Sequence, residues 1–156
     1  MTDSNAASWC LQRWHRVVGG GEPELLGELI ADDAVLHSPV LFRPLAGKET
    51  VIRYLTAASM SFVGDRPASG RVRVDGAPGE WDGRFRYVRE VVGEFDAVLE
   101  FETTMSGKYV NGVDMIRWDG TGRIVDFKVM VRPAQAIDAV RQLMVAALDT
   151  LGPTGG

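Results

Sequence analysis

Between residues 84 and 132 four runs rich in β-branched and aromatic residues follow one another: Arg84 to Val92, Ala97 to Met105, Tyr109 to Trp118 and Ile124 to Arg132. The breaks between them are short and glycine-marked, and Ser106-Gly107 and Asp119-Gly120-Thr121-Gly122 suit hairpin connections. The sheet is therefore predicted to be antiparallel and to meander there. Helical spacing occupies the flanks. Ser8 to Val18 offers Trp9, Leu11, Trp14, Val17 and Val18 to a buried stripe and is stopped by Gly19-Gly20-Gly21. A second helix begins at Glu22-Pro23-Glu24, carries Leu25, Leu26, Leu29 and Ile30, and ends near Ala31-Asp32-Asp33. Ala34 to Ser38 is predicted as a short strand before Pro39, and Pro44 and Gly47 bracket a loop. Lys48 to Ser59 forms a third helix and Ala134 to Leu148 a last one. Phe62 to Gly83, rich in Gly and Pro, is predicted as a flap in which Arg71-Val72-Arg73-Val74 pairs as an edge strand. Three helices, a curved antiparallel sheet and a closing helix make an α+β fold.

A chain of 156 residues is expected to form one domain, residues 1–151, with a flexible tail at 152–156, and to bury roughly 70% of its unfolded surface. That is enough for a core with a cavity. The net charge of −4 argues against phosphate backbones and anionic lipid surfaces, so neither nucleic acid nor membrane is an expected partner. Cys10 is the only cysteine, which excludes an intrachain disulfide and a cysteine metal site. No basic, apolar leader opens the sequence and no run reaches the ~20 apolar residues of a bilayer span, so a cytoplasmic location is expected. The two histidines, His15 and His37, make a poor start for a metal site. Gly19-Gly20-Gly21 follows a helix, whereas a dinucleotide site needs glycines between strand and helix. Neither metal nor cofactor is expected.

Asp114 is the one acid on a strand face otherwise made of Val110, Gly112, Ile116 and Trp118. A carboxyl group among apolar neighbours resists ionising, and a neutral acid near pH 7 can donate a proton or a strong hydrogen bond to an oxygen of a bound molecule. A buried arginine or amide partner is the competing structural role. His15 and His37 are the residues whose ordinary pKa lies near neutrality, and either is a candidate base. Strand alternation sends Ser38 and His37 to opposite faces, Ser38 inward if the register holds, and His15 lies beside Trp14 on the first helix.

Two segments resemble a known family. Leu29 to Pro39, followed by Ala46-Gly47-Lys48-Glu49, resembles the passage from helix to first strand in nuclear transport factor 2-like proteins. Gly112 to Asp119, with Gly122-Arg123-Ile124, resembles the hairpin of ketosteroid isomerases and of SnoaL-related polyketide cyclases. The resemblance implies a cone whose inner face carries Leu99, Phe101, Thr103, Met105, Gly112, Asp114, Ile116, Phe127, Val129 and Val131, with Glu100 and Glu102 outside as a charge stripe. It places Asp114 where the isomerases have the aspartic acid of their oxyanion hole. It places Ser38 where they have the proton-shuttling Asp, and Trp14 where they have the oxyanion-hole Tyr. A serine without an activating base does not carry protons between carbons, so classical steroid isomerisation is not expected.

The expected function is a pocket for a hydrophobic, oxygenated small molecule that is isomerised, cyclised or dehydrated. Asp114, His15 and Ser38 are the candidate catalytic residues, and Trp14, Leu99, Phe101, Thr103, Ile116, Phe127 and Val129 shape the pocket. A non-catalytic binding module, or one that dimerises through the outer sheet face where Met115 and Met130 point, is the alternative. The acid-arginine chemistry of limonene epoxide hydrolases would require Arg86 or Arg89 to reach inward. The inward face around Tyr87 is undecided at this level, and Tyr54 and Tyr109 have ordinary structural roles.

Overall fold

The computed structural model describes residues 3–65 and 81–152. Helix α1 (Asp3–Gly20) buries Ala6, Cys10, Trp14 and Val17, which recur every third or fourth residue and form one stripe. The second helix is far shorter than predicted. A 3₁₀ turn at Pro23–Leu25 leads into a single turn, α2 (Leu26–Leu29), and Ile30 is already extended at φ −91°, ψ 127°. Strand β1 (Ile30–His37) therefore starts four residues before the predicted Ala34. Ile30, Ala31, Ala34 and Leu36 are all buried in it, while Asp32 and Asp33 are exposed within an irregular stretch of the pairing. The bracketed loop contains a two-residue strand, β2 (Leu45–Ala46), antiparallel to β1.

Helix α3 (Lys48–Ser61), strands β3 (Arg86–Val92), β4 (Asp96–Met105), β5 (Lys108–Trp118) and β6 (Ile124–Arg132), and helix α4 (Ala134–Thr150) complete the fold. The six strands make one curved, unclosed sheet in the order β2-β1-β6-β5-β4-β3. The meander from β3 to β6 is antiparallel as its turns predict. The sheet as a whole is mixed, because β1 lies parallel to β6, with Leu36 level with Phe127 and His37 with Lys128. The proposed edge strand Arg71 to Val74 lies outside the described residues, as does the tail beyond Gly152.

Rows across the sheet alternate between faces. Phe101, Gly112 and Val131 form one inner row, Leu99, Asp114 and Val129 the next, and Ala97, Ile116 and Phe127 a third. On β3 this alternation breaks, since Tyr87 opposes Phe101 but Arg89, not Val88, opposes Glu100, and Glu90 opposes Leu99. Val88 is the extra residue of a β-bulge, which puts Tyr87 and Glu90 on the same side of the sheet. Simple alternation from Tyr87 would have placed Glu90 outside.

Glu102 does point outward, yet it is not a solvated stripe residue: only 6% of it is exposed. It accepts hydrogen bonds from Tyr109 Oη (2.7 Å) and Arg86 Nη2 (3.2 Å), and Trp81 covers the group, with Arg86 stacked on its ring at 4.9 Å. Burial, then the hydrogen bond to Glu102, pushes the Tyr109 phenol up to about 12.

Candidate functional site

Helices α1, α3 and α4 cover the inner face of the sheet and leave a cavity with about 740 Å³ of empty space, its mouth included. Its lining is mostly apolar: Val17 and Val18 from α1, Leu55 and Ala58 from α3, Val140 and Met144 from α4, Phe85 just before β3, and Phe101, Phe127 and Val129 from the strands. Among the described residues Asp114 is the one acid in that lining, and no basic side chain joins it.

The Asp114 side chain belongs to a short polar chain. Trp14 Nε1 donates to Tyr87 Oη over 2.8 Å, and Tyr87 Oη donates to Asp114 Oδ2 over 2.5 Å. Burial drives the Asp114 carboxyl from 3.8 up to about 7, with the Tyr87 hydrogen bond pulling the other way. Burial likewise raises the Tyr87 phenol well above its usual value, and the neighbouring Asp114 charge raises it further. Near pH 7 the carboxyl group is thus divided between its acid and its conjugate base, the condition under which one group can both take and return a proton.

The residues named from sequence are placed as follows. Trp14, Phe101, Phe127 and Val129 line the cavity with Asp114, but the Trp14 N–H is spent on Tyr87. Leu99 and Ile116 are fully buried among the core residues and do not reach the cavity wall. Thr103 is also away from the wall, its hydroxyl donating to the Phe62 carbonyl over 2.9 Å. Ser38 is turned inward and buried, and shares a hydrogen bond with the Tyr54 hydroxyl. His15 is half-exposed and pairs with Glu90 over 2.9 Å, outside the lining, and His37 is paired with Asp126 over 3.3 Å on the other face. Neither histidine reaches the cavity. Among the described residues no group of three or more His, Cys, Asp or Glu is placed to hold a metal ion, and no helix is long and apolar enough to cross a membrane.

Two lining residues, Tyr87 and Tyr54, were not picked out as functional from the sequence. Tyr87 alternates with Phe85, and both face the inner residue Phe101, but its orientation follows only once β3 is registered on β4. Tyr54 lies three residues from Val51 and one from Leu55 on the buried stripe of α3, where an aromatic reads as core.

No family model and no curated protein matches the chain. Solved structures do. A steroid delta-isomerase from Pseudomonas aeruginosa is 30% identical, with 94% of this chain and 93% of that one covered at a TM-score of 0.77. A protein with a cystatin-like fold from Silicibacter pomeroyi is 26% identical over 88% of this chain and 83% of that one, at a TM-score of 0.69. SalBIII, an epoxide hydrolase/cyclase-like enzyme, shares the fold at 13% identity, a TM-score of 0.58, and coverage of 85% and 95%. The fold class is that of small α+β proteins in which helices cap one side of a curved, open sheet. The chain belongs to the nuclear transport factor 2-like superfamily.

Proposed function

We propose that the protein binds an apolar molecule carrying a carbonyl or enol oxygen and moves a proton on it without a cofactor, in an isomerisation, cyclisation or dehydration. The observation that carries this is Asp114, an acid set in an apolar cavity with a carboxyl pKa raised by burial to about 7. In the shared step Asp114 takes a proton from the carbon beside the carbonyl. The C–H electron pair becomes a C=C bond and the carbonyl π pair moves to oxygen. Return of the proton to the same or a conjugated carbon completes an isomerisation. In a cyclisation the enolate carbon instead bonds a second carbonyl carbon of the ligand, whose oxygen takes the proton, and in a dehydration the enolate expels a β-hydroxyl that leaves with the proton as water. Tyr87 holds the carboxylate by its hydrogen bond and fixes which oxygen faces the ligand. The steroid delta-isomerase and the cyclase-like enzyme with this fold support such chemistry.

The test uses 2-acetylnaphthalene, an apolar methyl ketone, whose methyl protons exchange with D₂O by this same step. Wild type is expected to catalyse the exchange, with a rate rising through pH 7 as Asp114 ionises, and Asp114→Asn to reduce it by about 100-fold or more. Equal exchange in both proteins would remove Asp114 from the chemistry. A purely ligand-binding protein is the second possibility, favoured by the position of both histidines outside the cavity; it predicts saturable ketone binding and no exchange. Epoxide hydrolysis through Arg86 or Arg89 is not supported, because neither lines the cavity.

The outer sheet face supports a homodimer. Val98 faces Met115 across β4 and β5, and Val113 faces Met130 across β5 and β6, which makes a continuous apolar patch with Val98, Met115 and Met130 exposed. Light scattering is expected to give twice the chain mass, and Met115→Lys to give a monomer.

A further inference from the structure

The cavity contains a second polar group that the proton chemistry of Asp114 leaves unassigned. Tyr54 lines it from α3, and its hydroxyl is hydrogen-bonded to that of Ser38, the residue just past β1. Ser38 Oγ also accepts the Val40 backbone N–H over 3.2 Å. Two hydroxyl groups carry two hydrogens, and their mutual bond uses one. If Tyr54 donated to Ser38, the spare hydrogen would be that of Ser38, which is buried and does not reach the cavity wall, and an unspent buried donor is costly. The favoured order is Val40 N–H to Ser38 O–H to Tyr54 O, in which each bond polarises the next and the Tyr54 hydrogen is left for the cavity.

The register places this donor opposite Asp114. His37 is level with Lys128 in the parallel pair, so Ser38 is level with Val129, and Val129 opposes Asp114. Ser38, just past the end of β1, thus continues the inner row of Val129 on β6 and Asp114 on β5, about two strand spacings, ~10 Å, from Asp114 at Cα. Val129 is the apolar cavity wall between them. Among the described residues Asp114 Oδ1 has no hydrogen-bond partner, since Tyr87 uses Oδ2. One end of the row thus offers a hydrogen and the other an acceptor.

We propose that Tyr54, oriented by Ser38, is the hydrogen-bond donor that binds the ligand's carbonyl oxygen, so that the cavity selects enolisable ketones presenting oxygen to Tyr54 and the acidic carbon to Asp114. This rests on the proton-transfer function proposed above. Ser38 is a positioning residue and acts through Tyr54.

Measuring binding at pH 8.5 isolates the donor, because Asp114 is then ionised and has no hydrogen to give. Wild type is expected to bind 2-acetylnaphthalene about tenfold more tightly than naphthalene, the size of one well-made hydrogen bond to a buried site. Tyr54→Phe should bring that ratio close to one, and Ser38→Ala, which leaves Tyr54 in place but unoriented, should reduce the ratio several-fold. A ratio near one in wild type, or an unchanged ratio in Tyr54→Phe, would overturn the assignment. D₂O exchange separates the two ideas. Exchange that requires Asp114 but is indifferent to Tyr54 sinks only the donor, whereas a ratio that depends on Tyr54 with no exchange sinks only the catalysis.

Discussion

Raising the pH from 4 to 7 is expected to lower the stability of the wild-type protein relative to Asp114→Asn, and the difference should level off above pH 7. An unfolded chain releases the Asp114 proton near 3.8, whereas the fold holds it to about 7. Between those values the native state binds more protons than the unfolded one, so each step up in pH favours unfolding. The group's stabilising protonation is therefore complete below pH 4 and lost as pH passes 7. The gap corresponds to roughly 4 kcal/mol over the whole window, an order-of-magnitude figure. Most carboxylates act in the opposite sense, and subtracting the variant's curve cancels them. Asn keeps a carbonyl oxygen to accept from Tyr87, so the polar chain survives the substitution. Urea unfolding of both proteins at pH 4, 5.5, 7 and 8.5 measures the effect, and parallel stability curves would show that Asp114 ionises in the fold as easily as in water.

Gly112→Ala is expected to destabilise the protein by about 3 kcal/mol, a fall in Tm of roughly 10 °C for a chain of this length. An added Cβ would lie 2.5 Å from the Met130 carbonyl oxygen and 2.5 Å from Phe101 Cζ. Neither can withdraw easily. The carbonyl belongs to the β6 backbone beside β5, and the Phe101 ring is stacked on Phe85 at 5.2 Å and meets Phe62 edge-on at 5.5 Å. Because Phe101 also forms part of the cavity wall, the same change should weaken ketone binding. Gly120→Ala is the control, since its Cβ meets nothing within 4 Å. Equal melting temperatures for the two variants would show that the β5–β6 contact yields at no cost.

The hairpins were legible because period-two patterning and glycine turns act locally, within a few residues of where they are written. The same local parity set Ser38 and His37 on opposite faces, and it placed Asp114 on the buried face of β5. What escaped was decided at a distance. The single turn of α2 satisfies the spacing of Leu26 and Leu29, but Ile30 is drawn into extended pairing with Ile124 on β6. Tyr87 and Glu90 depend on the bulge at Val88, which has no glycine or other local mark. Glu102 reads as a surface charge until Trp81, from an unpatterned stretch, is found covering its ion pair with Arg86. The Tyr54–Ser38 bond joins a helix to the end of a strand that precedes it by a whole loop.

The parallel pairing of β1 with β6 has a consequence for how the site comes into being. Each hairpin of the meander closes over a handful of residues, while the bond between Leu36 and Phe127 joins points about 90 residues apart and carries the larger chain-closure entropy. Asp114 and Tyr87 lie within the meander and can meet without β1, but Ser38 joins their row only when that long closure is made. The two ends of that row are thus held by closures of very different cost, and a ketone bound across them as proposed would add its binding energy to the closure that needs it more.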